Sequence, residues 1–126
     1  MVIAYDVLDA FVYPLPVVGL AAAVPDGADA RLWVPGFNGQ IIGGWASYTT
    51  LPATGTATVV VEVGTTDAIT WTFTSSDTAK QCKAGTLSTT ASDCYFDNDD
   101  ILHLDITKSS GTEERTLDVR LLVKGR

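Results

Sequence analysis

Basic residues are scarce in this chain. Its 126 residues carry eight lysines and arginines against fifteen aspartates and glutamates, a formal charge of −7. Up to Ala79 the only base is Arg31; Lys80, Lys83, Lys108, Arg115, Arg120, Lys124 and Arg126 follow. Binding to a phosphate backbone or an anionic lipid surface needs clustered cations, so neither nucleic acid nor a membrane is expected as a partner. Histidine occurs once, at His103, and cysteine twice, at Cys82 and Cys94, without a CxxC pair. Zinc would have to recruit carboxylates as well, and no serine or cysteine pattern accompanies the histidine to suggest a nucleophile. Long apolar runs are also missing. Val7 to Val24 is broken by Asp9, Pro14, Pro16 and Gly19 and is too short to span a bilayer comfortably. Met1 to Asp6 offers only an acid where a signal peptide carries positive charge, so synthesis in a cytoplasm without export by the usual route is expected.

A helical stripe is absent too: the best candidate, Ala4 to Phe11, is short and rich in Val, Tyr and Phe. What is present is a period of two. Ala57, Val59, Val61 and Val63 alternate with Thr58, Val60 and Glu62, and Ile69, Trp71 and Phe73 with Thr70, Thr72 and Thr74. Leu102, Leu104 and Ile106 alternate with His103 and Asp105, and Leu117, Val119, Leu121 and Val123 with Asp118, Arg120 and Leu122. These β-branched and aromatic runs predict strands with one buried face. Turn residues bound them at Gly64 to Asp67, Asp97 to Asp100 and Ser109 to Thr112. Two weaker strands, Ala30 to Val34 and Gln40 to Tyr48, flank the turn Pro35 to Gly39, and Gly43-Gly44 marks a bulge or a close backbone approach. With 46% hydrophobic residues and no second composition regime, one domain with its own core is expected. The fold class is all-β, an antiparallel β-sandwich of jelly-roll type with an extended N-terminal arm. Residues 1–29 form the arm or an edge segment and residues 30–126 the sandwich.

Candidate chemistry is thin. His103 falls on the solvent side of its strand. Cys82 and Cys94 share one long connection, Ser75 to Phe96, which reads as an outward feature, and a disulfide between them is favoured over two free thiols. Asp97, Asp99 and Asp100 are a weak calcium candidate, since oxygen ligands at that density could hold the ion, but their spacing is not that of an EF-hand and a polar turn is the better reading. Trp33, Trp45, Trp71, Phe37 and Tyr48 are candidates for a sugar-stacking platform. By alternation Trp71 belongs to the core, and Trp45 and Tyr48 have opposite parity, so one at most faces inward. No catalytic residue and no cofactor is expected.

From Leu32 onward a series of short motifs appears. Asn38-Gly39-Gln40-Ile41-Ile42-Gly43-Gly44 opens a strand, Leu51-Pro52-Ala53-Thr54-Gly55 precedes the next, and Asp99-Asp100-Ile101-Leu102-His103-Leu104-Asp105-Ile106 leads to a last strand, Leu117 to Val123, before Lys124-Gly125-Arg126. This series resembles the small β-sandwich modules of tailed-phage virions, found in head decoration proteins, head fibres and tail appendages. The chain departs from the family pattern at Asp99, where those modules carry glycine. The resemblance implies a virion structural protein, not an enzyme: a capsid decoration or cement protein made in the host cytoplasm and placed on the outer head surface. Its opening Met1 and lack of further modules fit a free-standing protein better than a domain of a long fibre. The implied partners are the major capsid protein and copies of itself, as a homotrimer. Contacts would run through the apolar arm, with Val2, Ile3, Tyr5, Val7, Leu8, Phe11, Val12, Tyr13, Leu15, Val17, Val18 and Leu20 as interface residues. The alternative is a tail or head-fibre appendage that holds host-surface glycans on exposed aromatics; a small hydrolase with paired carboxylates ranks last.

Overall fold

A computed structural model describes residues 10–15, 27–108 and 114–126, with backbone alone for residues 27–33 and for Arg115. Among the described residues ten strands appear in chain order. They are β1 (Ala10–Pro14), β2 (Gly27–Trp33), β3 (Gly39–Thr50), β4 (Thr56–Val63), β5 (Thr66–Thr74), β6 (Lys83–Ala84), β7 (Thr86–Leu87), β8 (Tyr95–Phe96), β9 (Leu102–Lys108) and β10 (Arg115–Gly125). A 3-10 turn, Ala91–Cys94, precedes β8. Among the described residues no helix is long and apolar enough to cross a membrane.

Among the described residues every pairing is antiparallel. One sheet runs β1-β10-β3-β6, with β8 also on β3, and the other runs β2-β9-β4-β5-β7. The partners nest: β1 with β10, β2 with β9, β3 with β8, β4 with β5. The chain is thus one long hairpin wound over two sheets, which is the jelly-roll order. The alternation read from the sequence faces inward as expected: Val59, Val61, Trp71, Phe73, Leu104 and Ile106 of one sheet meet Ile41, Tyr48, Leu117, Val119, Leu121 and Val123 of the other, all buried. Each such side chain contributes roughly 1.5–3 kcal/mol by leaving water.

Turn chemistry sets the register. The β4–β5 hairpin closes through Gly64 and Thr65 alone, with Gly64 at φ +61 and Val63 opposite Thr66; glycine takes that backbone at no steric cost. The turn is therefore two residues shorter than Gly64 to Asp67, and β5 begins at Thr66. A bulge follows, where Ala68 and Ile69 are both buried. The Gly43-Gly44 expectation is met twice over. The β3–β10 register shifts so that Leu122 faces Gly43 while Val123 faces Ile41, and a Cβ at Gly44 would lie 3.1 Å from both Ile69 Cδ1 and Trp71 Cζ2.

One expectation is corrected, and one left open is narrowed. The stretch between β5 and β9 is not an outward loop. It returns along β3 as β6, crosses at Gly85 and continues on β5 as β7, closing that side of the sandwich. Gly85 N–H donates to Gly44 C=O at 3.0 Å, and Trp71 Nε1–H donates to Lys83 C=O at 2.9 Å. Apolar and hydrogen-bonding gains together hold the segment down. Of the N-terminal segment, read as an arm or an edge segment, the described part is an edge segment. Residues 10–14 form the edge strand β1 on β10, Leu15 is buried in the core and Tyr13 packs against it, so Leu15 is not available as an interface residue. Val2, Ile3, Tyr5, Val7, Leu8, Val17, Val18 and Leu20 lie outside the described residues, as does the turn Ser109 to Thr112.

A Cβ at Gly85 would lie 2.6 Å from Ile69 Cγ1 and 2.7 Å from Trp71 Cε2, both in the dense core where neighbours cannot yield. Gly85→Ala is expected to cost roughly 1–3 kcal/mol in urea unfolding. Gly125→Ala, where a Cβ meets nothing within 4 Å, serves as the unchanged control.

Candidate functional site

Four places concentrate chemistry. The first is the outer face of the second sheet. Cross-strand register sets Glu62 opposite His103 on β9 and Asp67 on β5, with Asp105 two positions from His103. Glu62 hydrogen-bonds Asp105, and this bond, aided by partial burial and by repulsion from Asp105 and Asp67, raises its pKa from the ordinary 4.5 to about 7; His103 acts in the opposite direction. Two carboxyls in hydrogen-bond contact share a proton. They leave no room between them for a glycosidic bond, which needs roughly 5 Å or more of separation. His103 lies on the outer face as the alternation predicts, half-buried rather than fully exposed, and it is engaged with a neighbouring group.

The second place is inside. Glu114 is fully buried, and its Oε2 lies 3.1 Å from Lys108 Nζ as a charge contact rather than an aligned hydrogen bond. Tyr48, buried on β3, finds no hydrogen-bond partner for its hydroxyl among the described residues. Burial first, and then the charge of Glu114, pushes its ionisation far above the usual range. Two residues on, Thr116 holds φ +53, which a β-branched residue rarely adopts. Sequence alone marks none of this: Glu114 sits in the polar run Gly111 to Arg115, where solvation is the default reading.

The third place holds the cysteines. The expected Cys82–Cys94 disulfide is not formed, and both are free. Cys94 is buried at the 3-10 turn, its Sγ 3.5 Å from Ala68 C=O, with burial raising its pKa. Cys82 is exposed and lines a cleft of about 280 Å³ with Phe73, Ser76, Asp77, Gln81 and Lys83. The Lys83 ammonium is already engaged there. It lies 3.1 Å from Asp77 Oδ1, donates to Thr72 C=O and sits 5.3 Å over the Phe73 ring. Thr74 N–H donates to Asp77 Oδ2, and that bond is the main reason the Asp77 carboxyl stays below the ordinary range.

The fourth place is the end of the sandwich where β1, the Pro35–Gly39 turn and the Asp97–Asp100 turn meet. Phe37 stands 5.6 Å from Phe11, 6.2 Å from Tyr13 and 5.3 Å from Phe96. The aspartates hold turns here instead of gathering round an ion. Asp97 N–H donates to Asp100 Oδ2 at 2.7 Å, Asp97 Oδ1 lies 3.6 Å from Arg126, and Asn98 N–H donates to Asn38 Oδ1. Among the described residues no three His, Cys, Asp or Glu side chains are grouped to hold a metal ion, so the calcium candidate Asp97, Asp99 and Asp100 is not assembled. Large apolar side chains border the same two turns: Phe11 is 44% exposed, Val34 55% and Ile101 44%. Of the proposed sugar platform, Trp71 and Tyr48 are core, Trp45 is 37% exposed on the outer face, Phe37 is half-buried, and the Trp33 side chain lies outside the described residues. No family model, no curated protein and no solved structure matches the chain.

Two outcomes follow from these charges. Lys108→Met strips the buried carboxylate of its cation and is expected to lower stability by roughly 3–5 kcal/mol, most of which returns when Glu114 is also made apolar; urea unfolding of both variants checks this. Glu62 is raised in the folded state, so its contribution is complete below pH 4.5 and is lost as pH rises through about 7. Glu62→Gln keeps the contact with Asp105 without titrating. The Tm decline between pH 5 and pH 8 is therefore expected to flatten in that variant.

Proposed function

We propose that this chain is a virion structural protein of tailed-phage type, a decoration protein that binds the outer capsid surface and stabilises the shell. The observation that carries the reading is a pair of exposed apolar side chains beside two joined turns at one end of the sandwich, Val34 next to the Pro35–Gly39 turn and Ile101 next to the Asp97–Asp100 turn. Large apolar side chains left in water beside joined turns of a chain this acidic support a contact site there, and turns tied by Asn38, Asp97 and Asp100 hold them in place. Jelly rolls recur in capsid proteins, an analogy of fold that supports the reading without assigning it. The physical gain is apolar area buried across seams between capsid subunits.

A second reading, an appendage that holds host-surface glycans, keeps one specific observation: Trp45 stands exposed on the outer face of β3. It loses Tyr48 and Trp71 to the core. A glycan array with specific binding abolished by Trp45→Ala would favour it.

The decoration reading is tested by co-sedimenting the purified protein with undecorated capsids and by the resistance of loaded capsids to heat and chelator. Binding is expected, with resistance raised. Val34→Asp and Ile101→Asp are each expected to weaken binding roughly tenfold or more while leaving the Tm near that of the parent. A protein that neither binds nor protects capsids would overturn the reading.

A further inference from the structure

β1 ends the first sheet, and its hydrogen-bonding pattern can be read residue by residue. Leu15 N–H donates to Val119 C=O at 2.9 Å. Backbone groups of successive residues in a strand point to opposite edges. Tyr13, opposite Leu121, and Phe11, opposite Val123, therefore turn their groups toward β10 as Leu15 does. Ala10, Val12 and Pro14 turn theirs to the outer edge, where no strand pairs with them among the described residues. Pro14 has no N–H to offer, and it occupies an outward position, where the β1–β10 ladder loses nothing.

The other sheet ends are guarded. β6, β7 and β8 are two residues each, and β2 carries Asp29 and Arg31. Short strands and edge charges are the usual devices against strand addition. β1 has neither. Ala10 to Leu15 is uncharged on a chain of net charge −7, so repulsion between copies is weakest there. Val12 is 49% exposed and faces outward beside Leu122.

We propose that β1 pairs antiparallel with β1 of a second copy about a two-fold axis at Val12, joining two five-stranded sheets into one. The pattern is self-complementary. Val12 N–H donates to the C=O of the partner's Val12 and the reverse, and Ala10 N–H donates to the C=O of the partner's Pro14 and the reverse. The missing donor of Pro14 falls where it leaves no buried N–H unpaired. On the inner side Phe11 meets the partner's Tyr13, which extends the aromatic contacts to Phe37 and covers exposed ring surface. An isologous contact of this kind closes at two copies, so the symmetry is two-fold, in place of the trimer implied by the resemblance. The inference rests on the reading of the chain as an assembly module and names one of its partners.

The test is sedimentation equilibrium of the full chain. A concentration-dependent dimer is expected. Val12→Pro removes the two central intermolecular bonds but none to β10, so it is expected to weaken the dimer about 10–100-fold with near-UV circular dichroism unchanged. In a Cys82→Ser background, Val12→Cys places two thiols across the axis at the spacing a disulfide accepts. Mild oxidation should then give a covalent dimer, whereas Thr107→Cys, on the far sheet, should not. A monomer at every concentration, meaning an edge capped from within the chain or left bare, overturns the proposal. So does a dimer indifferent to Val12→Pro, or a Val12→Cys protein that stays uncrosslinked. Capsid binding separates the two ideas: a monomer that binds capsids sinks the dimer alone, and a dimer that ignores them sinks the decoration reading alone.

Discussion

The indole of Trp71 decides how close the two sheets can come. It is among the largest side chains in the core and is fully buried, and it fits only because the backbone above it is stripped of side chains at Gly44 and Gly85. Its one polar atom then needs a partner and finds it in Lys83 C=O, as a buried indole must. That bond lies on the segment that crosses from one sheet to the other. A single residue therefore fixes the inter-sheet distance, the glycine positions and the path of the long connection that closes one side of the sandwich.

The opposite side is built differently. There β1 and β2 end their sheets, and the Phe37 turn leaves Phe11 and Val34 in water. The asymmetry is physical rather than incidental. One side is covered by the whole connection from β5 to β9, residues 75–101, and the other presents an uncharged strand. The polar groups with unusual surroundings do not lie on that open edge: Glu62 and Asp105 sit on the outer face of the second sheet, and Lys108 and Glu114 are inside. Their arrangement bears on stability and its pH dependence, and the exposed apolar surface carries the proposed association.

Much of the fold was legible because alternation reports which face is buried. The Val59–Val61, Trp71–Phe73, Leu104–Ile106 and Leu117–Val123 runs named their strands and their inward residues, and the opposed parity of Trp45 and Tyr48 sorted one outward and the other inward. What was not legible depended on contacts far apart in sequence. Nothing in Lys83-Ala84-Gly85 announces a crossing over Trp71. Cys82 and Cys94 share a connection, but folding buries one and exposes the other, so proximity along the chain was a poor guide to pairing. Leu15 resembles its apolar neighbours, yet the register with Val119 turns it into the core. Glu114 reads as solvated until Lys108, from the strand before it, is found beside it.

The nested order has a consequence for synthesis. β10 lies between β1 and β3, although more than a hundred residues separate the paired Ala10 and Lys124. On the ribosome, β1 and β3 emerge early and wait, each with an open ladder, until the last strand of the wound hairpin is released. Folding dominated by such distant pairings is slow, and unpaired edges held open for that time invite association with other nascent chains. The same bare strand that suits an assembly would be a hazard in a polysome, and the proline at its outer edge limits how far a stray strand can extend along it.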